Sequence, residues 1–164
     1  MYKVYPKIIL ACLLLVMTGT VYSQRVTQTI NDGWKFSLFE GDASTADFDI
    51  SGWTDVSIPH TWNAKDADDE IPGYFRGKGW YRKVVAVEEL IPEQRVYLSF
   101  EGANQETNVF VNGTFVGNHK GGYSAFTFDV TDYVHAGRNL IAVSVDNSHN
   151  PDIAPPVSYT HLRA

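Results

Sequence analysis

The sequence predicts an all-β sandwich of the jelly-roll kind. Apolar residues alternate with period two from Gln24 onward, turn residues punctuate the alternation every few positions, and no window sustains the 3.6-residue period of an amphipathic helix. Seven or eight short strands without intervening helices fit two antiparallel sheets that bury their inner faces against each other. With 44% hydrophobic and 20% charged residues the composition is that of a globular domain. One domain of about 130 to 140 ordered residues can hold a core without cross-links.

Residues 1–23 have the three-part design of an export signal and are set aside. Lys3 and Lys7 give the positive start, and Ile8 to Met17 forms the apolar stretch, too short for the ~20 residues of a membrane span. Val21-Tyr22-Ser23 offers a small residue at the cut, so the mature chain is expected to start at Gln24 and to be secreted or periplasmic. No membrane partner is expected once the signal is removed. The only cysteine, Cys12, lies inside it, which leaves the mature chain without disulfide, thiol nucleophile or thiolate site. Two of the 13 basic residues, Lys3 and Lys7, also leave, so 11 face 19 acidic ones, a net of about −8. No basic face is visible, which argues against nucleic acid.

Asn31-Asp32-Gly33 is a turn, and Trp34, Phe36 and Leu38 then alternate with Lys35, Ser37 and Phe39 in a half-buried strand. Val56 and Ile58 mark a second strand stopped by Pro59. Trp80 to Val87 carries apolar residues on both faces over part of its length, as a central strand does. Val96, Leu98 and Phe100 alternate with Tyr97 and Ser99. Val109 to Val111 and Thr114 to Val116 flank Asn112-Gly113, a pair suited to the positive φ angles of a tight hairpin. Phe126 to Val130 and Leu140 to Val145 give two more strands. Between them Asp132-Tyr133-Val134 can form one helical turn, and Gly137-Arg138-Asn139 is the turn out.

Two stretches break the rhythm. Asn63 to Lys78 is a long polar loop, a length usually tied to function or mobility. Asn147 to Ser158, with Pro151, Pro155 and Pro156, is extended and cannot be a central strand. Both can lie at a ligand mouth.

The residues themselves offer little catalytic chemistry. Asp66, Asp68, Asp69 and Glu70 match neither a calcium loop nor the carboxylate pair of a glycosidase, and read as a solvated loop. His60, His119, His135, His149 and His161 are too dispersed for a metal pattern, so no metal and no cofactor are expected. No Gly-x-Ser-x-Gly elbow surrounds Ser124 or Ser144. Asn112-Gly113-Thr114 formally matches a glycosylation sequon, which the turn already explains. Trp34 and Trp80 sit in strands and are expected in the core. Trp62, at the entrance to the long loop, is as well suited to a ligand as to packing.

Four phrases occur in order: Asn31-Asp32-Gly33-Trp34-Lys35-Phe36, Ile58-Pro59-His60-Thr61-Trp62-Asn63, Gly77-Lys78-Gly79-Trp80-Tyr81-Arg82 and Val111-Asn112-Gly113-Thr114-Phe115-Val116-Gly117. Gly121 to Phe126, Asp129 to Thr131 and Asn139 to Val143 continue the series. Together they resemble the amino-terminal sugar-binding domain of glycoside hydrolase family 2, over residues 24–158. The resemblance implies a galactose-binding-domain-like jelly-roll followed, in the parent enzyme, by an immunoglobulin-like domain and a (β/α)8 barrel that carries both catalytic glutamates. It implies a retaining β-glycosidase parent of the β-galactosidase type, with β-glucuronidase and β-mannosidase as sister activities, acting on a β-galactoside or related glycan. This stretch would then be non-catalytic, contributing stability and one wall of the pocket.

In the family's β-galactosidases the residue before the Trp of the Pro-x-x-Trp phrase is often Asn or Asp and reaches a sugar hydroxyl. Thr61 stands there, so Thr61, Trp62 and Asn63 are the expected substrate-binding residues, with no catalytic residue. Residues 159–164 depart from the family pattern, which continues to a Gly-Gly-Ile-Tyr-Arg-like strand. They read as an atypical, artefactual tail on a truncated chain whose missing strand would leave a sheet edge unpaired. A stand-alone carbohydrate-binding module is the alternative, and a secreted adhesion sandwich the third reading.

Overall fold

The computed structural model describes residues 25–62, 75–153 and 161–163. Every regular element among them is a strand: β1 (Trp34–Leu38), β2 (Thr54–Val56), β3 (His60–Thr61), β4 (Lys78–Val87), β5 (Tyr97–Phe100), β6 (Gly102–Ala103), β7 (Glu106–Val111), β8 (Thr114–Lys120), β9 (Phe126–Asp129), β10 (Gly137–Asp146) and β11 (His161–Arg163). Six of them form an antiparallel sheet in the order β2-β1-β4-β10-β7-β8. The pair β5-β9 and the three-stranded β3-β11-β6 make up the other layer. The expected export signal at residues 1–23 falls outside the described residues, as do 63–74 and 154–160.

Strand pairing explains why the expected sandwich forms. Phe36, Tyr81, Val143 and Val109 lie side by side across four strands, so period two in each strand becomes one continuous apolar face. That face meets Leu98, Phe100, Ala103 and Ile58, with Phe126 and Phe128 packed at the margin. Gly117 in β8 is what lets Phe128 close in: a Cβ there would sit 2.3 Å from the ring. Asn112 and Gly113 adopt φ of 52° and 82°, the two positive angles that an Asn-Gly hairpin supplies cheaply.

Two expectations change. The Gly137-Arg138-Asn139 turn is the start of β10, because these residues pair with Val87, Ala86 and Val85 of the long β4. The strand placed at Val56 to Ile58 ends at Val56. Ile58 is a core residue whose amide donates to the Asn31 carbonyl (2.9 Å), and a further two-residue strand, β3, follows. Within the tail, His161–Arg163 forms β11, which pairs with both β3 and β6. The single helical turn is present: the amides of Tyr133 and Val134 both donate to the Val130 carbonyl, at 3.0 and 3.1 Å.

The other face of the large sheet is covered by the β1–β2 connection, residues 39–53. Ala142 and Ser144 are small enough for this strap to lie close, and Ala43, Trp80 and Ala142 form a second buried cluster with Phe48, Trp53 and Phe110 around it. Trp80 donates its indole N–H to the Gly41 carbonyl (3.0 Å). Trp80 is thus buried as expected, but beneath the strap rather than between the layers.

At the hairpin end a closed amide network fixes the turn. The Asn139 amide donates to the carbonyls of His135 (2.7 Å) and Gly137 (3.1 Å), and its Oδ1 accepts from the His135 amide and from Asn112 Nδ2, both at 2.9 Å. Asn112 Nδ2 also donates to the Tyr133 carbonyl (2.9 Å). The sequon amide is therefore committed within the fold. Asn139 is 1% exposed, and its removal takes four hydrogen bonds from the turn. Asn139→Ala is expected to lower unfolding free energy by about 2 to 4 kcal/mol, measured as the urea midpoint; an unchanged midpoint would show that the network contributes nothing net.

Candidate functional site

One end of the sandwich is built from side-chain amides. Asn147, buried after β10, accepts from the Gly77 amide (2.7 Å), donates to the Phe75 carbonyl (2.7 Å), and its backbone amide donates to the Gly77 carbonyl (3.1 Å). Gln105, also buried, donates its backbone amide to Asp146 (2.9 Å) and its side-chain amide to Ile153 (3.1 Å), while its carbonyl accepts from Gly121 (2.8 Å). Two residues thus tie the exit of the long loop, the Gly121 turn and the proline-rich segment to the sheet. The Asn104–Gln105 and Ile58–Pro59 peptides are cis.

The register places four charges in one row across the sheet: Lys78, Asp146, Glu106 and Lys120, each opposite the next. Both carboxylates line a cavity of about 260 Å³ with Gln105, Ser148, Asn150 and Ile153. Glu106 pairs with Lys120 at 3.5 Å and accepts from Asn118 Nδ2 at 3.0 Å. Asp146 Oδ1 accepts from the Ser148 amide at 2.8 Å. Sequence reasoning missed this cluster, because only the β7–β10 register brings Glu106 and Asp146 together.

The expected substrate residues lie elsewhere. Thr61 is half-buried in β3, opposite His161. Trp62 is half-buried and lies against Gly79, with its ring centroid 5.6 Å from that of Phe36 and 6.2 Å from that of Phe75. Its indole Nε1 is enclosed and meets no acceptor among the described residues, whereas Trp34 donates to the Ile30 carbonyl at 2.7 Å. Asn63 lies outside the described residues, as does the Asp66 to Glu70 cluster. Gly79, Val145 and Thr107 belong to the core-side rows of the sheet, and Asp146 and Glu106 to the strap side, so Trp62 and the cavity flank opposite faces. Among the described residues, no group of three or more His, Cys, Asp or Glu is placed to hold a metal ion.

Next to Thr61, His60 carries the titratable chemistry of this end. Its Nδ1 lies 2.9 Å from the Tyr81 hydroxyl and its ring packs at 4.7 Å on Phe36. Burial pushes the His60 imidazole below its ordinary 6.5 and the Tyr81 phenol above its ordinary 10.0, so an uncharged ring faces an uncharged phenol, and the tautomer of the ring sets which of the two donates. His119, stacked at 4.1 Å on Phe126, is lowered by burial too. The unfolded chain takes up these protons near pH 6.5 while the folded chain resists, so stability falls as pH drops below about 6.5. The Asp129 carboxyl, lowered by Thr131 and Arg95, acts separately: its contribution is present above about pH 4 and is lost below it. The urea midpoint is expected to be lower at pH 5.5 than at 7.5, and His60→Gln to shrink the difference. Equal midpoints for the wild-type chain would refute the assignment.

The two layers and the amide-tied loops define an all-β sandwich domain. A family model described as glycosyl hydrolases family 2, sugar binding domain, matches residues 27–154, and the chain belongs to that family. A putative β-glucuronidase of Formosa agariphila is 35% identical over 156 residues, covering 92% of this chain and 19% of the relative. A β-galactosidase of Thermoanaerobacter pseudethanolicus is 39% identical over 138 residues, covering 79% and 16%. Among solved structures, a Bacteroides uniformis β-glucuronidase superposes with a TM-score of 0.76 at 39% identity, covering 85% of this chain and 17% of that one. The chain thus spans about a fifth or less of the length of these relatives.

Proposed function

We propose that the chain is the amino-terminal, non-catalytic domain of a secreted or periplasmic retaining β-glycosidase of the β-galactosidase type. It supports the fold of the whole enzyme and contributes a wall of the sugar pocket, with Thr61, Trp62 and Asn63 facing a β-galactoside or related glycan. An immunoglobulin-like domain and a (β/α)8 barrel follow it in the parent and supply the catalytic glutamates. The observation that carries this reading is the match of residues 27–154 to the sugar-binding domain of the family, within relatives several times longer. The carboxylates of Glu106 and Asp146, tied to Lys120, Asn118 and Ser148, agree with a non-catalytic role.

The purified 164-residue chain is expected to show no turnover of aryl β-galactoside or aryl β-glucuronide above buffer. In calorimetric titrations it should bind galactose and lactose no more tightly than millimolar. Turnover proportional to protein concentration and surviving repurification would overturn the non-catalytic assignment. Micromolar sugar binding would replace it with a stand-alone carbohydrate-binding module.

A further inference from the structure

We infer that Asn112 is a latent deamidation site, held shut by the Asn139 network, and that its conversion to aspartate or isoaspartate unlocks the hairpin end for good. The inference stands apart from the sugar-binding reading. Asn112-Gly113 is the one Asn-Gly pair in the sequence, and it forms the tip between β7 and β8, with Asn112 exposed to water. Glycine after asparagine is the sterically easiest context for the reaction, because no Cβ hinders approach of the backbone nitrogen. That nitrogen gives up its proton and attacks Asn112 Cγ, the Cγ–Nδ2 bond breaks, and ammonia leaves carrying the proton, so that a five-membered succinimide remains. Water then opens the ring at either carbonyl, to aspartate or to isoaspartate.

Exposure alone would make this reaction quick, and the hydrogen bonds make it slow. Nδ2 donates to the Tyr133 carbonyl and to Asn139 Oδ1, both at 2.9 Å, so both hydrogens of the leaving group are engaged. Oδ1 accepts from the Leu140 amide at 2.9 Å, and the Asn112 backbone amide donates to the Leu140 carbonyl at 2.8 Å. The side-chain amide is thus pinned to β10 and to the helical turn at Tyr133 together, and it cannot swing over the Gly113 nitrogen until they part. The product does not restore the arrangement. A carboxylate at 112 donates nothing and would face two oxygens, the Tyr133 carbonyl and Asn139 Oδ1, while Asn139 Nδ2 is already spent on His135 and Gly137. Isoaspartate adds a methylene to the main chain where φ angles of 52° and 82° close a two-residue turn. Loss of ammonia to the solvent makes the change one-way.

The test is peptide mapping by mass spectrometry of the chain kept folded, or unfolded in urea, at mildly alkaline pH. The folded wild-type chain is expected to deamidate at 112 at least about thirtyfold more slowly than the unfolded one. Asn139→Ala should quicken the folded rate about tenfold, because the reaction follows the population of the opened hairpin end. Arg82→Ala, which weakens the strap instead, should leave the rate within about twofold of wild type. Hydrogen exchange of the Leu140 amide, whose proton Asn112 Oδ1 holds, reads the same opening without any variant, and its protection should match the protection from deamidation to within about threefold. Asn112→Asp should melt at least about 5 °C below wild type. The inference is overturned if the folded chain loses the amide as fast as the unfolded one, if a folded Asn139→Ala reacts at the wild-type rate, if Arg82→Ala quickens the reaction as much, or if Asn112→Asp melts at the wild-type temperature. Should Asn139→Ala not fold, the two protections decide: a mismatch of about tenfold or more between Leu140 exchange and Asn112 deamidation overturns the inference.

Discussion

Gly79→Ala is expected to lower unfolding free energy by about 3 kcal/mol or more, measured by urea denaturation. An added Cβ would stand 1.6 Å from the Trp62 ring and within 2.8 Å of two more of its atoms, far inside van der Waals contact. Gly79 sits in the long β4, paired with Leu38 and Val145, so the backbone cannot retreat without breaking two ladders. The ring must move instead, and it is held by Phe36 on one side and Phe75 on the other. Trp62→Ala alone should cost about 3 to 5 kcal/mol through the void it leaves. In the double variant the alanine at 79 meets space rather than a ring, so the two losses should be less than additive by about 1 to 2 kcal/mol. Strict additivity would mean that Trp62 does not cover Gly79 in solution.

That contact also marks the limit of what the sequence discloses. Period two at Trp34 to Leu38, Leu98 to Phe100 and Val109 to Val116 exposes the sandwich directly, because one face of each strand is buried and alternation is its imprint. Asn112-Gly113 discloses its hairpin for a purely local reason, two positive φ angles. Gly137 to Asn139 misleads for a non-local one: glycine and asparagine signal a turn, yet the length of β4 draws them into pairing. The site follows the same division. Trp62 is visible as an aromatic residue before a loop, but whether it faces sugar or core depends on Gly79, a residue 17 positions away that only strand register brings beneath it. Glu106 and Asp146 read as ordinary solvated charges until β7 and β10 are placed side by side.

Arg82→Ala is expected to cost about 2 to 4 kcal/mol and to loosen one segment selectively. Arg82 is 3% exposed in the middle of the large sheet and points into the strap, where Nη2 donates to the Thr45 carbonyl (2.8 Å) and Nη1 to that of Phe48 (3.3 Å). Its charge has no carboxylate in direct contact among the described residues. Burial lowers the proton affinity of the guanidinium, and nearby Asp47 offsets part of that loss. The residue is tolerated there because a planar fork can serve two carbonyls at once, which the single ammonium of lysine does less well. Arg82→Lys should therefore recover only part of the loss. Without the fork, residues 39–53 keep Trp80's bond to Gly41 and the packing of Ala43, Phe48 and Trp53, but lose their central tether. Limited proteolysis should cut within 39–53 about tenfold faster or more, since cleavage follows the population of the open strap. Cleavage at the wild-type rate in a variant of unchanged stability would mean that aromatic packing alone holds the strap. A loss of stability with no preference for cleavage at 39–53 would mean that strap and sheet unfold as one unit.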